Sequence, residues 1–194
     1  MKQITGFIII AALLIFTGCN DMGKVIQGRV IAFDKDAGTV TFIADKSTVR
    51  GKPDYNTLPP TTYNIPKDFH EMGPAPAAGQ RMGLDTEKNE IVLFDMATGQ
   101  LKPITYTPVD KKENIGKDDK LVKDVKFPIV DRVAKTIQIY SKRQKLLVTF
   151  SVPDEYFDLP DATWAAGDEI RIYYKDQGQA LRLMNITKTD IFKK

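Results

Sequence analysis

The chain has 194 residues, and its 28 Lys and Arg residues against 25 Asp and Glu residues give a formal net charge of +3. Because charges of both signs are interspersed, the sequence predicts neither a nucleic-acid partner nor attraction to an anionic membrane surface. With one histidine and one cysteine, the chain lacks the residues for most nucleophilic triads, thiolate zinc sites and iron–sulfur clusters. We therefore expect no catalytic residues, no cofactor and no enzymatic activity.

Residues 1–18 have the pattern of a secretory signal peptide. Lys2 precedes an apolar run over 7–16, which would rise only about 15 Å as a helix, half of the roughly 30 Å that a membrane span requires. Gly18 and Cys19 follow this run and resemble the lipobox of bacterial lipoproteins. That resemblance implies cleavage before Cys19, lipidation of Cys19, and a tether over 19–24.

The proposed lipid on Cys19 predicts the compartment and the first partner, which is the membrane. Asn20 follows the cysteine instead of the Asp that resembles an inner-membrane retention signal, so we expect the outer membrane, with the domain facing the periplasm. Since Cys19 is the only cysteine, no disulfide can form within the chain, and stability depends on packed cores.

The rest of the chain shows the alternation of β-strands. Residues 28–34 and 39–43 form a strand pair around a turn at 36–38, and further strand-like runs occupy 136–140, 146–152, 169–174 and 180–186. β-Branched and aromatic residues fill these runs, and Gly, Asp and Asn separate them. No long amphipathic helix is predicted, so we expect an all-β domain.

The sequence also matches itself at three places, which predicts an internal duplication. Residues 34–43 align with 131–140, and residues 63–69 align with 150–156. A third block aligns four residues of the first copy, Gly79, Leu84, Leu93 and Met96, with Gly167, Ile172, Leu181 and Met184. The first copy carries a Pro- and Thr-rich insertion over 47–60, which we interpret as a loop.

Each copy has three strands, a short helical turn after Pro66 or Pro153, and two more strands. This order is typical of a five-stranded OB-type barrel, with an SH3-like barrel as the alternative. We predict two tandem barrels over 25–109 and 122–194, joined by a charged linker over 110–121. The whole chain resembles an uncharacterised family of small bacterial lipoproteins, classed as a domain of unknown function, and this resemblance implies no activity and no site residues.

The sharpest ligand hypothesis is copper. His70, Met72 and Met82 are close in sequence, and imidazole with thioethers suits Cu(I). Some periplasmic OB-type barrels bind copper in this way near a tryptophan, for which Trp164 is available. In the second copy the aligned positions are apolar, however, so we expect no metal site and keep the copper module as the alternative function. The aligned apolar residues are Phe157, Leu159 and Ile170.

We therefore predict a non-enzymatic binding or scaffold protein whose partner is another envelope protein or a small ligand. Strand edges and the loops 47–60 and 72–80 are the predicted contact surfaces. The basic hairpin, with Tyr140, Lys142, Arg143 and Lys145, is interpreted as a solvated edge. A deep polar pocket would favour a small ligand, whereas a flat exposed apolar face would favour a protein partner.

Overall fold

The computed structural model describes residues 22–47, 49 and 51–189, and within these ranges the regular structure is β-strand with three short 3₁₀ helices. This confirms the predicted all-β class. No helix in the described ranges is both long and apolar enough to span a bilayer. The strands are β1 (Lys24–Asp34), β2 (Thr39–Ala44), β3 (Thr61–Asn64), β4 (Arg81–Asp85), β5 (Glu90–Asp95), β6 (Gln100–Thr105), β7 (Thr107–Lys112), β8 (Ile129–Asp131), β9 (Thr136–Ser141), β10 (Leu146–Ser151), β11 (Glu169–Tyr174) and β12 (Arg182–Asn185).

The 3₁₀ helices lie where the chain leaves β3 and β10. The first covers Phe69–Glu71, and Asp68 caps it by accepting a hydrogen bond from the backbone N–H of His70. The other two, Asp154–Asp158 and Asp161–Trp164, each begin directly after a proline. Proline suits this position because its missing N–H would have no helical partner there.

The largest sheet combines strands from both ends of the chain. Its order is β12-β11-β1-β2-β3, and β1 pairs antiparallel with both β2 and β11. Its inner face buries Val30, Phe42, Tyr63, Ile172 and Leu183 in one apolar cluster. Residues 25–29, from the first predicted module, are thus paired with residues 169–173, from the second.

Two smaller sheets share a second core. One has the order β4-β5-β6 and the other the order β7-β10-β9-β8. Ile91 and Leu93 of β5 pack in the same apolar cluster as Ile139 of β9 and Phe150 of β10. Trp164 belongs to this cluster as well. A third cluster, which includes Ile31 and Met82, joins the outer face of the five-stranded sheet to β4 and β5.

The three sheets are open, so the closed barrels that we predicted are not present as such. The five-stranded sheet comes nearest to closure, since the backbone N–H of Asn64 in β3 donates to the Gly178 carbonyl at 2.8 Å and its carbonyl accepts from the Ala180 N–H at 3.0 Å.

The segment 110–121, predicted as a linker, begins inside β7, whose residues pair with β10. This strand was missed because all six of its residues are exposed and give no alternating pattern.

Two glycines allow the backbones of both halves to cross at β1. A Cβ built on Gly167 would lie 1.8 Å from the Val30 carbonyl oxygen, and one built on Gly79 would lie 2.3 Å from the Ala165 carbonyl oxygen. Hydrogen bonds fix the crossing: the Val30 N–H donates to the Asp168 carbonyl at 3.0 Å, and the Gly79 N–H donates to the Val30 carbonyl at 3.2 Å. Gly167 and Ala165, at this crossing, also line a cleft between the sheets.

Candidate functional site

A cleft of about 760 Å³ opens between the sheets where the two halves of the chain meet. We call it the inter-sheet cleft. Its walls come from Arg29 in β1, the loop 51–53, strand β4, residues 127–128, the β9–β10 hairpin, the segment 164–167, Glu169, and residues 186–187. Six ionisable side chains line it: Arg29, Lys52, Arg81, Lys142, Arg143 and Glu169.

Glu169, at the start of β11, is the one carboxylate in this lining. Its Oε1 accepts a hydrogen bond from Arg29 at 3.1 Å and one from the Tyr55 hydroxyl at 2.8 Å, and it also forms an ion pair with Arg143. Its side chain is only 16% exposed. The carboxylate is therefore already engaged by two cations and a hydroxyl.

Arg29 connects β1 to β4 across the cleft wall. Its Nη1 donates to the backbone carbonyls of Arg81 and Met82 at 3.2 and 3.1 Å, and its guanidinium lies 4.4 Å from the centre of the Tyr55 ring. Burial lowers the pKa of the Arg29 guanidinium. Because its contacts are with the protein itself, Arg29 acts mainly in holding the cleft walls together.

The loop that carries Lys52 and Tyr55 is shaped by an aspartate at the end of β2. The Oδ1 atom of Asp45 accepts from the backbone N–H groups of Ser47 and Asp54, which draws the two ends of the loop together. Tyr55 is then buried against the cluster of Ile31 and its neighbours. The insertion 47–60, predicted as a contact surface, thus supplies part of the cleft wall.

Arg81, at the start of β4, differs from Arg29 because it has no anionic partner. The residue is 7% exposed, and its Nε donates to the Trp164 carbonyl at 3.0 Å. Among the described residues, no other hydrogen bond and no ion pair involves its side chain. Burial, and secondarily the charge of Arg29, lowers the pKa of Arg81 to about 9, so the group remains a cation at neutral pH.

Lys142 and Arg143 enter the cleft from the turn between β9 and β10. Arg143 is 34% exposed at its side chain, and Gln144 beside it donates to the Leu84 carbonyl of β4 at 3.2 Å. Lys142, Arg143 and Lys145 are exposed, which agrees with the interpretation of this hairpin as a solvated edge, and the Gln144 hydrogen bond connects the tip of the hairpin to β4. Apolar surface beside these cations comes from Leu84, Phe127 and Pro128, which are partly exposed.

The three residues of the copper hypothesis lie in different surroundings. His70 is exposed and its ring lies 3.8 Å from that of Phe69, whereas Met72 forms a bridge to Leu183. Met82 is buried in the apolar cluster with Ile31. In the described part of the chain, no group of three or more His, Cys, Asp or Glu side chains is arranged to hold a metal ion.

The loop at 73–78, the Pro-Ala loop, is tied to the fold, although the wider segment 72–80 was predicted as a contact surface. Asp168 Oδ2 accepts hydrogen bonds from the Ala77 N–H at 2.8 Å and from Asn185 at 2.9 Å. Lys188 forms an ion pair with Asp168 at 3.2 Å and also donates to the Ala75 carbonyl. Asp168 is buried, and it therefore serves as an internal anchor for this loop.

Cys19, the predicted lipidation site, lies outside the described residues, so its modification stays a prediction. Sequence reasoning did not identify Arg29, Arg81 or Glu169 as site residues. Each occupies an ordinary strand position. The pairing of β1 with β11 brings Arg29 to Glu169, and Arg29 in turn contacts the backbone of Arg81. The available signal was the match of Gly79 with Gly167, which marks the crossing beside the cleft.

A family model described as a domain of unknown function, DUF4881, matches residues 21–194. The chain belongs to this family. The match spans both halves, so the DUF4881 domain includes the inter-sheet cleft and all three sheets. No curated protein and no solved structure gives a significant match.

Proposed function

We propose that this protein is a lipid-anchored binding protein of the cell envelope, which holds a small ligand in the inter-sheet cleft and does not convert it chemically. The cleft is the observation that carries the proposal. Its volume of about 760 Å³ lies in the range of roughly 300–1,000 Å³ that is common for small-molecule sites. Its lining combines apolar side chains with a few charged groups, as such sites do.

A concave cleft favours a small ligand over a second envelope protein, which would need a broad exposed face. The copper module gains no support from the described contacts, since Met82 packs in a separate apolar cluster from the one that holds Leu183, the bridge partner of Met72. Catalysis has no support either, because the chain has one histidine and that residue, His70, does not line the cleft.

Filling the cleft tests the proposal. Ala166 lines the cleft and is half-buried, so Ala166→Trp should occupy ligand space. Ala134 is exposed in the β8–β9 turn and is not among the lining residues, which makes Ala134→Trp the matched control. The measurement is the melting temperature of each protein with a panel of neutral, anionic and cationic small molecules, because a bound ligand stabilises the folded state.

We expect at least one compound to raise the melting temperature of the wild type and of Ala134→Trp, but not that of Ala166→Trp. A panel in which no compound stabilises the wild type would overturn the proposal. Equal stabilisation of Ala166→Trp would do the same, since the ligand would then bind elsewhere.

The proposed anchor has a separate test. Labelled fatty acid supplied to cells should be incorporated into the wild-type protein and not into Cys19→Ser, and only the wild type should partition into detergent. Density separation of the membranes should place the labelled protein with the outer membrane. Equal labelling of both proteins would remove Cys19 from the proposal, and recovery with the inner membrane would correct the compartment.

We also infer that the two halves arose by duplication and that each is an OB-like unit completed by strands of the other. The β1–β2 and β8–β9 turns support this, because Asp34 and Asp131 each accept two backbone N–H groups with Oδ1. The aligned turn residues Gly38 and Lys135 both have left-handed φ, 65° and 53°. The near closure of the five-stranded sheet between Asn64 and 178–180 is consistent with a partly open Greek-key barrel.

A further inference from the structure

The charged groups of the inter-sheet cleft do not balance. Arg29, Lys52, Arg81, Lys142 and Arg143 face a single carboxylate, Glu169, which leaves four positive charges in excess. Cations that share a partly enclosed space repel one another and attract anions, and the surrounding low-dielectric walls strengthen both effects. The positive charge of the lining therefore exceeds what its one carboxylate, Glu169, neutralises.

The positive charge with the least compensation from other residues of the cleft is that of the buried Arg81. Arg29 and Arg143 share Glu169, whereas the described residues provide Arg81 with one backbone carbonyl and no carboxylate. A buried cation without a counter-ion is costly, and a lowered pKa is the expected consequence. A neutral hydrogen-bond donor would satisfy the Trp164 carbonyl with a smaller desolvation cost than a buried cation. The described contacts of Arg81 therefore give its positive charge no structural role.

Arg81 also has spare hydrogen-bond donors. Nε is the one nitrogen of its guanidinium with a hydrogen-bond partner among the described residues, the Trp164 carbonyl, and Arg81 lines the cleft. The cleft wall thus combines spare donors with spare positive charge, and only oxygen acceptors with negative charge complement both.

We propose that the inter-sheet cleft binds its ligand through an oxyanion group, a phosphate or a carboxylate, held by the guanidinium of Arg81. Arg143 and Lys142 lie at the more exposed side of the cleft and attract the same anion. The planar guanidinium of arginine matches the geometry of both oxyanions. The partly exposed apolar side chains Leu84, Phe127 and Pro128 line the same cleft and contact the uncharged part of the ligand.

This inference rests on the proposed function and specifies its ligand. It also gives Glu169 a definite role as the internal competitor of the ligand, because the carboxylate neutralises part of the field that attracts the anion. A change that removes the negative charge of Glu169 should therefore strengthen anion binding. Removal of a cation from the cleft should weaken anion binding. If these residues had a purely structural role, the two kinds of substitution would not change the affinity for anions in opposite directions.

The experiment is calorimetric titration of the full chain in detergent with inorganic phosphate, and separately with citrate, at low ionic strength and neutral pH. Four variants are compared with the wild type: Arg81→Met, Arg143→Ala, Glu169→Gln and the control Arg132→Gln. Arg132 pairs with Asp161 at 2.8 Å and is not among the lining residues of the cleft. The phosphate and citrate titrations distinguish the two kinds of oxyanion.

We expect Arg81→Met to weaken anion binding at least about tenfold, which is typical for loss of a buried charge-assisted hydrogen bond. Arg143→Ala, whose side chain is partly exposed, should weaken it by about two- to fivefold. Glu169→Gln should strengthen it, and Arg132→Gln should leave it unchanged. Added salt should weaken binding to the wild type.

Two results would overturn the inference. One is the absence of phosphate or citrate binding to the wild type, and the other is binding that Arg81→Met, Arg143→Ala and Arg132→Gln reduce equally. If Arg81→Met does not fold, the opposite effects of Arg143→Ala and Glu169→Gln decide the question. A neutral compound that binds the wild type but not Ala166→Trp, in the absence of anion binding, would refute the oxyanion and leave the proposed function standing.

Discussion

The substitution Gly167→Ala, which adds one methyl group, should make the protein unfold at a much lower denaturant concentration than the wild type. The added Cβ would lie 1.8 Å from the Val30 carbonyl oxygen, and real Cβ atoms stay at least 3.0 Å from such atoms, so one backbone must move by about 1.2 Å. Neither backbone can move freely, because the Val30 N–H donates to the Asp168 carbonyl and the Val30 carbonyl accepts from Gly79.

The expected loss follows from these contacts. Overpacking of an ordered interior costs about 1–3 kcal/mol, and a buried backbone group left without its partner costs about 1–3 kcal/mol more. We therefore expect Gly167→Ala to lower the free energy of unfolding by about 2–6 kcal/mol, a large part of the roughly 5–15 kcal/mol that holds a domain folded. Urea denaturation followed by circular dichroism measures this value.

Gly116→Ala is the matched control. A Cβ at Gly116 would meet no atom within 4 Å, and its φ is not in the left-handed region. This variant should stay within about 0.5 kcal/mol of the wild type or become slightly more stable, because alanine restricts the unfolded chain. A loss smaller than about 1 kcal/mol for Gly167→Ala would refute the close crossing of the backbones.

Three further perturbations follow from the contacts. Residues 22–112 and 113–189, expressed separately, should each lack cooperative unfolding and should regain it when mixed, because β1 pairs with β11; cooperative unfolding of 113–189 alone would contradict this. Asp168→Ala should release the Pro-Ala loop, measured as faster limited proteolysis within it, and an unchanged cleavage rate would show that other contacts suffice. The hydrogen bond from Arg182 lowers the pKa of the Glu71 carboxyl, so Glu71→Gln should be slightly less stable than the wild type at neutral pH. This difference in the free energy of unfolding should disappear in acid, where the wild-type carboxyl is protonated, and a difference independent of pH would exclude the ion pair as its cause.

Local features of the fold could be predicted because they depend on neighbouring residues. The β1–β2 hairpin is an example, since Asp34 closes its turn with two backbone N–H groups and Gly38 takes the left-handed conformation. The 3₁₀ helix at Asp154–Asp158 follows Pro153 in the same local manner. Alternation also predicted β9, which buries Ile137 and Ile139 on one face.

The pairing of distant strands could not be predicted in this way. A strand with alternating residues fits any partner with a complementary face, so the sequence of β1 does not distinguish β11 from a nearer strand. Strands β6 and β7 were missed for a different reason. Both contain a proline, Pro103 and Pro108, and both lie at the edge of their sheets, where proline is tolerated but the sequence resembles a loop.

The inter-sheet cleft was missed as a consequence of the missed pairing. Arg29 and Arg81 come from the first half of the chain, whereas Arg143 and Glu169 come from the second, and the pairing of β1 with β11 brings Arg29 to Glu169. This pairing makes the charge of the cleft a property of the folded whole. Without it, Arg29 would lose Glu169, its partner across β1 and β11 in the antiparallel register. The residues that stabilise the pairing at β1 are therefore residues that shape the cleft, and loss of this pairing should abolish binding of the proposed ligand.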